Sequence, residues 1–115
     1  MRLLVLVLNH EDKLEDLLAE FLKIGISGAT VISSTGMARV LTGRDEEDIP
    51  LFGSIRALLN PEREQNHTIL TVIRNEQLSV AVAAIESVIG DLSEKDSGIV
   101  FSMPVDFVRG ISTIE

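Results

Sequence analysis

The chain has 115 residues, 18 of them acidic and 10 basic, for a formal net charge of −8 at pH 7. That length makes one ordinary domain with a core of its own, and the acidic balance opposes nucleic acid, whose phosphates are held by clustered Lys and Arg. The 45% hydrophobic content excludes intrinsic disorder, and the absence of cysteine excludes disulfides, thiolate zinc sites and cysteine nucleophiles.

With no Trp, no Tyr and four Phe, the core must be built from Leu, Ile and Val. Residues 3–8 form an unbroken apolar run, which predicts a strand buried on both faces. Preceded by Arg2, this run has the outline of a signal peptide, but six apolar residues are too few and Asn9, His10, Glu11 and Asp12 make no cleavage site. No apolar stretch approaches the roughly 20 residues that cross a bilayer. The expectation is a cytoplasmic protein without membrane insertion.

Next, Leu14, Leu17, Leu18, Phe21 and Leu22 recur at steps of three and four, predicting a helix capped by Asn9 or Asp12. Glu11, Glu15, Asp16 and Glu20 fall on its wet side, and Gly25 stands where a left-handed C-cap glycine belongs. A second strand is expected over residues 28–34, ended by Gly36. Residues 42–50 are polar and hold the acidic run 45–48, which lacks the EF-hand pattern and reads as solvated loop. Phe52, Ile55, Leu58 and Leu59 have helical spacing within the same segment, after Ser54 and before Pro61. A third strand, rich in β-branched residues, is expected over 68–73. Leu78, Val82, Ile85 and Ile89 mark a second helix closed by Gly90, and residues 99–103 a fourth strand. Residues 104–115 read as a short edge-forming tail.

The order β-α-β-loop-β-α-β predicts an α+β fold, a ferredoxin-like βαββαβ sandwich in one domain spanning residues 1–115. A long loop, residues 37–66 with its short helix, joins strands two and three. Two helices cover one sheet face, yet strands one and three are apolar at nearly every position. The other face therefore needs a cover, and a homo-oligomer supplies it.

The stretch Gly25, Ile26, Ser27, Gly28, Ala29, Thr30, Val31 resembles the nitrogen-regulatory PII signalling family, in which G-(V/I)-x-G-x-T-V joins the first helix to the second strand. A Gly-aromatic-Gly turn follows in that family; here Gly36, Met37 and Ala38 occupy it, with Arg39 next. Ser97, Gly98, Ile99, Val100 and Phe101 look like the family's D-G-K-I-F. The resemblance implies a homotrimer with inward-facing sheets and ATP or ADP in the clefts between subunits, often with 2-oxoglutarate. It also implies a signalling loop, the T-loop, at residues 37–66. Ligand-binding candidates on this basis are Gly28, Thr30, Gly36, Met37, Ala38, Arg39, Gly98 and Arg109.

Departures from the family pattern concern charge. Its phosphate-binding lysine falls on Ile99, and its two C-terminal arginines align near Gly110 and Ser112, with Arg109 one position away. The magnesium-coordinating T-loop glutamine has no counterpart, and with no tyrosine there is no site for uridylylation. Arg39, Arg44, Arg56 and Arg63 are the most concentrated basic residues and offer a replacement for the lost cations.

Two readings stay open for Gly28, Thr30, Gly36 and Ala38: tight turns, or backbone left open to a closely approaching ligand. Two also stay open for Phe52, Ile55, Arg56, Leu58 and Leu59: docking onto the body, or an apolar face offered to a partner protein. His10 and His67 read as loop residues; a divalent-metal pair, as in a CutA-like trimer, is the alternative. A ligand-free interaction trimer is the other. No G-x-S-x-G and no triad is present, and the helix carboxylates lie on a solvent face, so no enzyme is expected.

Overall fold

A computed structural model describes residues 1–35, 66–93 and 98–110. Strand β1 (Arg2–Leu8) leads through a 3-10 turn at Glu11–Lys13 into helix α1 (Leu14–Lys23), followed by β2 (Thr30–Ser34). Then β3 (Asn66–Ile73) leads through a 3-10 turn at Asn75–Gln77 into α2 (Leu78–Ile89) and on to β4 (Gly98–Pro104). The strands form one sheet in the order β2-β3-β1-β4, with every neighbouring pair antiparallel. This is the expected α+β, ferredoxin-like arrangement. The expected short loop helix at Phe52, Ile55, Leu58 and Leu59 lies outside the described residues.

Alternation along the strands divides the sheet into two faces. Leu4, Leu6 and Leu8 of β1 and Ile69 and Ile73 of β3 turn toward the helices and join one buried cluster. Leu17 and Phe21 from α1 meet Ala81, Ala84, Ile85 and Ile89 from α2 in the same cluster. Burying a side chain the size of Leu or Phe contributes roughly 1.5–3 kcal/mol, so this layer carries most of the stability.

Among the described residues, no helix lies on the opposite face. Registers Leu3↔Met103, Val5↔Phe101 and Val7↔Ile99 place these six side chains together, with Leu70 and Val72 beside Val5 and Leu3. Ile99 and Phe101 are 61% and 46% exposed. Exposure across this face is uneven: Ile99, Phe101 and Met103 of β4 and Ile32 of β2 are exposed, Leu3, Val7, Leu70 and Val72 are half-buried, and Val5 is buried.

Helix α1 is rotated from the expected stripe. Its inward side is Leu14, Leu17, Phe21 and the following Ile24, whereas Leu22 is 65% exposed. Neither Asn9 nor Asp12 caps it: Lys13 is the N-cap and no side chain bonds there, because the 3-10 turn intervenes. The C-cap is as expected. Gly25 adopts φ 89°, its N–H reaches Leu22 O at 3.2 Å, and the Ile26 N–H reaches Phe21 O at 2.9 Å. That is a Schellman closure with Phe21 and Ile26 in its apolar contact. In α2 the half-buried Val82 is replaced in the core by Ala81 and Ala84. Beyond β4, Val105 N–H adds one bond to Met1 O at 3.1 Å, and residues 105–110 form no strand.

Candidate functional site

The Schellman turn sends the chain from Gly25 across the end of the sheet toward β2. Ile26 folds back into the core, and the passage is fixed from beneath by Thr71, whose hydroxyl donates to the Gly28 carbonyl at 2.6 Å. On the far side, Gln77 ties the turn after β3: its amide oxygen accepts from Arg74 N–H at 2.8 Å and its own N–H reaches Arg74 O at 3.0 Å. Between these two braced segments lies a cleft of about 440 Å³. Leu3, Leu70 and Val72 supply apolar walls, Gly28 and Thr30 one lip, and Arg74 and Gln77 the other.

That volume is in the range of small-molecule sites, and an apolar slot edged by backbone and hydroxyl groups suits a flat ring with hydrogen-bonding edges. Gly28 is informative here. It does not have a positive φ, and a Cβ built on it would meet nothing within 4 Å. Among the described residues, neither a positive φ nor crowding demands glycine at this position. Arg74 is the one cation among the described lining residues; its Nε lies 3.0 Å from Glu76 Oε1 in a solvent-exposed pair worth little.

Of the sequence candidates, Gly28 and Thr30 line this cleft together. Gly98 does not: it opens β4, opposite Leu8, at the other end of β1 and the other edge of the sheet. Three strand spacings separate the edges, about 14 Å. Gly98 has φ 142°, and a Cβ there would stand 2.6 Å from Val7 O, so close backbone packing requires this glycine. Arg109 follows the same edge strand and stacks over Phe107, 5.5 Å from the ring centroid. Gly36, Met37, Ala38 and Arg39, with Phe52, Ile55, Arg56, Leu58 and Leu59, lie outside the described residues.

Leu3, Leu70, Val72, Arg74 and Gln77 had no functional signal in the sequence. The leucines and valine read only as strand. The Arg74–Gln77 brace has the spacing of a capping box, but with Arg where Ser or Thr normally announces it.

The histidines are placed apart in role. His10 O accepts the Lys13 N–H at 3.0 Å, closing the 3-10 turn. His67 faces the helix side of β3 with Nε2 3.6 Å from Glu11 Oε1, and its buried Nδ1 has no hydrogen-bond partner among the described residues. Among those residues no group of three or more His, Cys, Asp or Glu could hold a metal ion. Nor is any described helix long and apolar enough to cross a membrane.

The family model for nitrogen regulatory protein P-II matches residues 1–115. None of the curated proteins matches the chain.

Proposed function

The chain belongs to the nitrogen regulatory protein P-II family, and on that premise we propose that it is a homotrimeric, cytoplasmic regulatory protein that binds an adenine nucleotide between subunits. Members of the family are regulatory proteins and not enzymes, and are generally trimers that interact with target proteins. The nucleotide base occupies the cleft at Gly28 and Thr30, and occupancy biases residues 37–66 toward engaging or releasing a target protein through Phe52, Ile55, Arg56, Leu58 and Leu59. Such coupling needs a ligand that binds one loop state better than the other.

One observation carries this reading. Leu3, Leu70 and Val72 belong both to the cleft and to the uncovered sheet face. A copy of the chain seated on that face therefore borders the cleft and encloses whatever occupies it. It also supplies what one chain lacks, since Gly98 and Arg109 stand on the edge opposite Gly28 and would join the site only from a neighbour.

The phosphates must be held without a lysine at Ile99 and against a net charge of −8. Arg39, Arg44, Arg56 and Arg63 of the loop, Arg109, and Arg74 at the cleft's lip are the cations available. A calorimetric titration with ATP and Mg²⁺ tests the proposal: saturable micromolar binding is expected, weakened at least tenfold by Arg39→Ala or Arg56→Ala. No heat at millimolar ATP removes the nucleotide. The missing lysine favours a second reading, a trimer that recognises only a partner protein, and that result would select it.

A further inference from the structure

Thr71 is the one buried polar side chain among the described residues, 4% exposed. It stands on the helix side of β3 between Ile69 and Ile73 and opposite Leu4, all buried and apolar. Valine has the same shape and would fill this place without the cost of burying a hydroxyl. The hydroxyl is matched by a single bond, to the carbonyl of Gly28 at 2.6 Å.

That bond sets the direction of a whole peptide group. There is no cis peptide among the described residues, and in a trans peptide the C=O and the next N–H point to opposite sides. With the Gly28 carbonyl turned inward to Thr71, the Ala29 N–H is turned away from it. Thr30 follows immediately and, by its register with Leu70, carries its side chain on the uncovered sheet face. Among the described residues β2 is an edge strand, paired by β3 alone. Ile26 in the core fixes the described chain before this lip and the β3 ladder fixes it from Thr30 onward; the Thr71 bond holds the peptide between them.

We infer that Thr71, although it faces the core, is the positioning residue of the cleft: its hydroxyl aims the Gly28–Thr30 backbone, and with it the Thr30 hydroxyl that reads the ligand's ring. This deepens the proposed function and rests on it. The ligand class it implies carries a hydrogen-bonding group on the edge of a flat ring, to meet the Thr30 hydroxyl at the lip.

Thr71→Val and Thr71→Ser separate the hydroxyl from the packing. Each is titrated with ATP and with adenosine in the calorimeter, and melted alongside the parent protein. Thr71→Val keeps the shape and is expected to weaken both ligands about tenfold, the cost of one lost hydrogen bond at a site that depends on it. Thr71→Ser is expected to bind within about twofold of the parent, although losing a buried methyl lowers its melting temperature. Affinity then follows the hydroxyl and not stability. Parent-like binding by Thr71→Val would overturn the inference while leaving the nucleotide reading intact. So would affinities that fall in step with melting temperature in both variants. If the parent protein binds neither ATP nor adenosine, the nucleotide reading fails and this inference fails with it.

Discussion

Gly28 and Gly98 show how differently two glycines can be used. Gly98 is constrained from within, by a positive φ and by the Val7 carbonyl oxygen 2.6 Å from where a Cβ would sit. Strain and overpacking together predict that Gly98→Ala loses about 2–4 kcal/mol, read as a lower urea midpoint. Gly28→Ala meets no obstacle among the described residues and should leave that midpoint nearly unchanged. From the sequence the two looked alike, both as family-pattern glycines beside strands, because spacing carries no information about which side of a glycine is crowded. A smaller effect concerns Asp91. Its carboxylate accepts the Ser93 N–H at 2.9 Å and the Ser93 hydroxyl at 2.8 Å, and these hold its pKa below the usual aspartate range. A depressed pKa in the folded state means the contribution to stability is present above the unfolded pKa and lost as pH falls through the folded one. Ser93→Ala removes the lesser of the two bonds, so an NMR titration should show Asp91 moving partway back toward its ordinary value.

Each element was legible to the extent that its residues differ from one another. The strands read clearly because their apolar runs are short, unbroken and flanked by polar residues. Helix α1 was legible as a helix, but not its N-cap or its inward side, which leaves out Leu18 and Leu22, because five apolar residues describe a stripe wider than the one contact surface available. Helix α2 (LSVAVAAIESVI) is apolar nearly all round, so Val82 looked as inward as Ala81 or Ala84. Its inner side holds alanines because α1 packs against it there, and alanine lets two helices approach closely. The same helix has no basic residue in its last turn. Lys13, 75 residues earlier, reaches the Val88 carbonyl at 3.3 Å and places its charge at that end. Replacing it, Lys13→Met, should cost about 0.3–1 kcal/mol by chemical denaturation, and the difference should shrink in high salt. Lys13→Arg should restore most of it. No local pattern announces such a cap, since donor and acceptor belong to different halves of the chain.

At the scale of the molecule, the sheet has one face that both described helices cover and one on which no described helix lies. The sequence disclosed this second face through β1 and β3, but not the share of β4 and β2, whose Ile99, Ile32 and Phe101 are exposed. The cleft was only half legible for a related reason. Gly28 and Thr30 lie in a patterned stretch, whereas Leu3, Leu70 and Val72 become cleft residues only when three segments far apart in the chain meet. Phe101→Glu places a charge on the exposed part of this face, on edge strand β4, where burial against another copy would leave it unpaired. Light scattering should then report a monomer with native circular dichroism, and ATP binding should be lost with the assembly. An unchanged trimer would show that the subunits meet elsewhere.

The position of β1 also governs how the chain reaches this structure. It is central, yet both of its partners, β3 and β4, are made long after it. As the polypeptide leaves the ribosome, residues 3–8 must wait for residue 73 before their first ladder closes and for residue 104 before the second. Topologies dominated by such distant pairings fold slowly and pass through aggregation-exposed states. During that interval the most apolar strand of the protein is unpaired on both edges, which makes residues 3–8 the natural target for a chaperone that holds nascent chains.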